Sequence, residues 1–155
     1  MYQWLVFLHI VGVFGFLLAH GVSVGVMFRI RVERDREKIR TLLALSGASM
    51  TGFYASILLL LSAGVVAGFV GSWWDTLWIW ISLGLFVAIL GLMYPLAGRW
   101  FRRIANAVAM RPSGAPMASD EEVDSLLRSS RPMLIGVIGY GGLLAILWLM
   151  LFKPF

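Results

Sequence analysis

Four stretches of this chain are long and apolar enough to cross a bilayer, roughly residues 3–28, 42–70, 77–97 and 133–152. Each supplies the ~20 apolar residues that a helix needs to span the hydrocarbon. In lipid every backbone polar group must be satisfied within the chain, and a run of this length does that as an α-helix. The expected fold is therefore all-α: a four-helix transmembrane bundle forming one integral membrane domain over residues 1–155. Composition agrees, with 60% hydrophobic and 14% charged residues, against ~25% charged in a soluble domain. No acidic residue falls inside any of the four runs, which argues against a proton-coupled carrier built on carboxylates. The first run lacks a basic leader and a small-residue cleavage site, so it reads as a retained span rather than a signal peptide.

Charge placement sets an expected orientation. All but one of the 13 lysines and arginines lie in two connections, Arg29 to Arg40 and Arg99 to Arg131, and the exception is Lys153. The second of the three inter-span connections, Gly71 to Thr76, carries only Asp75. The positive-inside rule then puts both basic loops in the cytoplasm and both termini outside, in a bacterial inner membrane. The net charge of +5 is thus a topology signal, and nucleic acid is not an expected partner. Trp73, Trp74, Trp78 and Trp80 crowd the outer connection as an interfacial aromatic belt, which Tyr2, Trp4 and Trp148 can join.

Between spans three and four, Ser119 and Glu122 stand at capping-box spacing before Val123, Leu126 and Leu127. A short amphipathic helix is expected there near the inner surface, ending by Pro132. The preceding Met110 to Ala118, with Pro112, Gly114 and Pro116, reads as a flexible linker. Trp100, Phe101, Ile104 and Val108 carry the third helix beyond the bilayer to about Met110, with Pro95 a candidate kink.

Enzyme chemistry leaves little trace. With no cysteine, thiol nucleophiles, thiolate metal sites and disulfides are excluded. There is no glycine-rich phosphate loop, and no serine is marked as a nucleophile beside a histidine and an acid. Asp120, Glu121, Glu122 and Asp124 are an acidic run at a helix start, complementing the helix dipole.

The two histidines are the exception. His9 and His20 both lie in the first span, eleven residues apart. At ~100° per residue that spacing returns to nearly the same face, ~16 Å along the axis, so one imidazole sits in each leaflet. Leu5, Val13, Phe16, Ser23 and Met27 share the stripe, flanked by Gly12, Gly15, Gly21 and Gly25. Neutral imidazole is a common axial ligand of haem iron. Small residues let a flat macrocycle, or a second helix, approach the backbone.

His9 and His20 are therefore candidate haem-iron ligands, with Gly12, Phe16 and Arg29 as further cofactor-binding candidates. Arg29, Arg40 and Arg99 can meet propionates. Haem b would number one or two per chain. Two bis-histidine haems need four histidines, which a homodimer of facing first helices would supply; a methionine or tyrosine from another helix, or a five-coordinate iron, are the other solutions.

A plainer reading remains open, in which each histidine hydrogen-bonds a neighbouring helix through Ser46, Ser49, Thr51, Tyr54 or Ser56. Copper is the alternative metal, with Met27 or Met50 as soft donors. A non-catalytic accessory role in a larger complex is a third reading, with Arg31 to Arg40 and the amphipathic segment as docking or anionic-lipid surfaces.

The run FLHIVGVFGFLLAHGVSVGVMFRIRVERD resembles the opening of small four-span bacterial proteins of the copper-resistance-D-like superfamily. That superfamily includes the HemJ-type protoporphyrinogen oxidases, whose first helix carries a haem-ligating histidine followed by an arginine near its inner end. The resemblance implies haem, and less strongly copper, and matches His9 and Arg29 to those two positions. It does not imply the oxidase reaction, because the membrane lysine required there has no counterpart: Lys38 and Lys153 are the only lysines.

Overall fold

A computed structural model describes residues 1–154. The four apolar runs fold as α1 (Tyr2–Ile30), α2 (Arg36–Val70), α3 (Leu77–Ala107) and α5 (Arg131–Phe152), with a short α4 (Asp120–Leu127) before the last. No strand occurs among the described residues beyond an isolated bridge. The all-helical four-span architecture stands as expected, and the helices overrun the bilayer where their caps dictate.

α2 is the clearest case. Hydropathy places the start of the span at residue 42, but the helix begins at Arg36 because Asp35 caps it, accepting from the backbone N–H groups of Glu37 and Lys38. Arg36, Lys38 and Arg40 therefore sit on a helix rather than in a loop. With 35 residues, α2 is ~52 Å long against ~30 Å of hydrocarbon, so it projects into water on the basic side. α3 runs uninterrupted through Pro95 to Ala107, a substitution for a backbone donor that a membrane helix tolerates. α5 starts two residues earlier than its apolar run, with Pro132 in its first turn, where a missing N–H is harmless.

The segment before α4 is folded, not loose. Met110 and Pro116 form an antiparallel bridge, Arg111 N–H donates to Ala115 O at 2.8 Å, and Met117 N–H donates to Ala109 O at 3.0 Å. Gly114, at φ 80°, supplies the left-handed residue that closes the turn. The capping box of Ser119 and Glu122 forms as expected and starts α4.

Packing divides the helices into two pairs. α1 lies along α2 and α3 along α5, and the pairs touch each other sparsely except at the two ends. At the basic end Ile30, Ile39, Trp100, Ile104, Leu127 and Ile135, drawn from all five helices, share one buried cluster. At the other end Trp78, Ile79 and Leu149 form a smaller one. There Trp73 Nε1 donates to Tyr2 Oη at 3.2 Å, and Lys153 Nζ lies 4.1 Å from the Trp73 ring centroid. The expected tryptophan belt thus also ties the start of α1, the α2–α3 turn and the end of α5 together.

The basic segments grip α4. Arg31 donates to Leu127 O at 3.3 Å, and Arg34 pairs with Asp124 at 3.2 Å. Beside them, backbone N–H groups of Arg34 and Asp35 hold the Glu33 carboxyl below the usual carboxylate range, with Arg29 and Lys38 adding to the effect. Arg36 does most, donating to Ala107 O at 3.2 Å and Ala118 O at 2.8 Å, and meeting Asp120 at 2.6 Å.

The Arg36 side chain is 18% exposed while that of Asp120 is 93% exposed. The two carbonyls therefore matter more than the screened ion pair. Replacing Arg36 with Ala should destabilise the basic end by about 2 kcal/mol and open the Met110–Ala118 turn to protease. Lysine should restore little, because one ammonium cannot reproduce a fork that serves three acceptors. Denaturation with limited proteolysis measures both, and full rescue by Arg36→Lys would show that only the charge matters.

Candidate cofactor site on the first helix pair

The histidine stripe faces α2. Phe16, Ser23 and Met27 of the stripe are buried, and His9 and His20 are half-buried. Antiparallel pairing matches the stripe step by step: His9 with Gly64, Gly12 with Leu60, Gly15 with Ser56, and Ala19 with Gly52. The next step is a serine cluster, in which Ser46 Oγ donates to Ser23 Oγ at 2.9 Å and Ser49 Oγ donates to Ser46 O at 2.8 Å. Lipid offers no hydrophobic drive for helix association, so small residues that permit close approach and polar groups that pair across the seam supply the attraction.

Two different environments hold the two imidazoles. His9 Nδ1 lies 2.7 Å from Leu60 O. A carbonyl only accepts, so Nδ1 carries a proton, and in the neutral imidazole Nε2 keeps its lone pair. Gly64 makes this possible, since a Cβ there would stand 2.7 Å from Nδ1 and 3.0 Å from Cε1. His20 instead stacks on Phe16, with centroids 5.6 Å apart and planes within 5°. Phe53 tilts against both rings. No hydrogen bond fixes the His20 tautomer among the described residues.

The other candidates fall as follows. Gly12 faces the α2 backbone, where an added Cβ would come within 2.6 Å of Leu60 N, so the space over it belongs to α2. Phe16 is part of the aromatic stack with His20 and Phe53. Arg29 reaches solvent and pairs with Glu33 at 2.9 Å. Of the two soft donors, Met27 is 2% exposed inside the apolar cluster at the basic end, and Met50 is half-buried. No group of three or more His, Asp or Glu side chains is gathered for a metal among the described residues. Of the hydroxyls weighed as histidine partners, Ser46 and Ser49 pair with Ser23 instead.

Leu60 O and Phe53 had no mark in the sequence as partners. A backbone carbonyl has no residue signature, while Gly64 in the Gly64-x-x-x-Gly68 spacing was an available pointer to close approach.

Four long apolar helices packed as two pairs, with a stripe of small and polar residues between α1 and α2, define an integral membrane protein of the four-span helical class. The chain belongs to the family described as predicted integral membrane protein (DUF2269), whose model matches residues 3–154. No curated protein and no solved structure matches it.

Proposed function

We propose that this protein is a membrane-embedded b-type haem protein in which His9 would hold the iron through Nε2. The observation that supports this most is the 2.7 Å hydrogen bond from His9 Nδ1 to Leu60 O. A ligating histidine characteristically donates its other ring N–H to a carbonyl or carboxylate, which fixes the tautomer and raises the basicity of the ligating nitrogen. The donor chemistry at His9 therefore fits haem iron. Because α2 closes the space over Gly12 and Gly15, a macrocycle would have to lie on the side of His9 away from Leu60. Bound there, haem would supply one-electron chemistry for electron transfer or for sensing a small redox species.

His20 is the second candidate ligand, with Phe16 and Phe53 orienting its ring. The resemblance of the first span in sequence to the copper-resistance-D-like superfamily would favour haem, and less strongly copper. The orientation that goes with this reading is N-out and C-out in a bacterial inner membrane, on the charge asymmetry of the loops. α2 of the same chain covers the histidine face, so a homodimer uniting like histidines would need that face opened. A single haem per chain at His9 is the simpler arrangement.

The test is an absorption spectrum of protein purified after expression with haem in excess, oxidised and reduced, with haem counted per chain. A Soret band that is lost in His9→Ala, in protein that still melts as the parent does, is the expected result. A colourless parent protein, or an unchanged spectrum in His9→Ala, would exclude the assignment.

A further inference from the structure

Most basic residues of the α1–α2 connection are satisfied within the chain. Arg29 has Glu33, Arg34 has Asp124 and Arg36 has Asp120. Arg99 near the basic end of α3 and Arg131 at the start of α5 are different. Neither has a carboxylate partner among the described residues, both are exposed, and the fold brings them to one cavity of about 280 Å3. The remaining lining is Pro95, Leu96, Leu134 and Ile135.

The order of these residues along the two helices has a physical meaning. Arg99 lies just beyond the third apolar run and Arg131 just before the fourth, so both guanidiniums stand at the headgroup layer. Leu96 and Pro95 on α3, and Leu134 and Ile135 on α5, lie on the hydrocarbon side of them. The cavity is thus cationic at headgroup depth and apolar beneath. The first turn of α5 adds the positive end of its dipole on the same side.

We infer that this cavity binds the headgroup phosphate of an anionic phospholipid from the leaflet at the basic end. Guanidinium forks match phosphate oxygens in pairs, and two of them with no internal counter-ion leave the charge for an external one. Basic pockets between membrane helices take lipid headgroups on these grounds. The apolar lining selects a lipid over free phosphate, because acyl chains remain in contact with Leu96, Pro95, Leu134 and Ile135 while the headgroup is held. Free phosphate has nothing to gain from those four residues.

The experiment is native mass spectrometry of the full chain released from phosphatidylcholine nanodiscs containing phosphatidylglycerol. The parent should retain phosphatidylglycerol in preference to phosphatidylcholine. Arg99→Gln with Arg131→Gln should lower that retention about tenfold or more, in line with two arginines lost near a charged surface. Arg102→Gln with Arg103→Gln removes the same amount of charge, from α3 alone and outside the cavity, and should leave retention near the parent value. Arg99→Lys with Arg131→Lys should recover part of it. Melting in pure phosphatidylcholine checks that each variant is folded. Unchanged retention in the first double variant, or equal loss in the control pair, overturns the site. Displacement of the lipid by inorganic phosphate at the same concentration overturns the lipid assignment.

Discussion

Gly12→Leu should separate α1 from α2 and remove most of the stability of that pair, and Gly12→Ala should already destabilise it by about 2 kcal/mol or more. A Cβ at Gly12 would stand 2.6 Å from Leu60 N and 2.8 Å from both its Cα and Cβ. These are mainly backbone atoms of a long helix, which cannot swing aside as a side chain can, so the helices themselves must move apart. Separation forfeits dispersion contacts along the seam, and in lipid no gain from burying apolar surface offsets the loss. It also lengthens the His9 to Leu60 hydrogen bond, one turn away. Gly12→Ala should therefore weaken the His9 site as well as the fold.

Two other glycines of α1 provide the contrast. Added Cβ atoms at Gly21 and Gly25 meet nothing within 4 Å. Gly21→Ala and Gly25→Ala should be neutral or stabilising by up to ~1 kcal/mol through helix propensity. Gly15→Ala belongs between these extremes, because its obstacle is the Ser56 hydroxyl, which can rotate. Unfolding in mixed detergent micelles measures the series. Equal effects at Gly12 and Gly21 would show that the close crossing at Leu60 does not hold the pair together.

That crossing marks how far the sequence could be read. The period of the stripe picked out the face of α1 that carries His9, Phe16, His20, Ser23 and Met27, and the same face is turned to α2. The pattern did not say what lies opposite. A stripe of small residues suits a flat cofactor and a neighbouring helix equally well, and over Gly12 the neighbour is the backbone of Leu60. Helix ends were not legible in the apolar runs, for a different reason. Hydropathy marks where a chain enters hydrocarbon, whereas Asp35 and Pro132 mark where a helix begins, and the two differ by several residues at α2. The Ser119–Glu122 box was legible because both of its partners are local. Arg36 was legible only as one charge of a basic segment, a topology signal or a docking surface, since its acceptors, Ala107 O and Ala118 O, lie some seventy to eighty residues away in sequence. The meeting of Arg99 with Arg131 likewise depends on how α3 lies against α5.

Trp100→Ala tests what joins the two helix pairs, and it should cost about 3–5 kcal/mol, the range for deleting a buried tryptophan. Trp100 is 1% exposed. It is clustered with Ile30 of α1, Ile39 of α2, Leu127 of α4 and Ile135 of α5, and its Nε1 donates to Ser129 Oγ at 3.1 Å. The position follows the last apolar residues of the third span, and the cluster includes the amphipathic α4. Water therefore borders this core as it borders the core of a soluble domain, and apolar burial is rewarded here in a way that it is not between helices in lipid.

Few contacts join the pairs in the middle of the membrane, so losing this cluster should release α3–α5 from α1–α2 at the basic end while each pair persists. The expected signature is an early unfolding step with protease cleavage between residues 108 and 119, followed by the parent's transition for the α1–α2 seam. A single cooperative transition, shifted by less than ~1 kcal/mol, would place the attachment between the pairs elsewhere. The opposite cluster of Trp78, Ile79 and Leu149, with the Tyr2–Trp73–Lys153 contacts, would then be the joint.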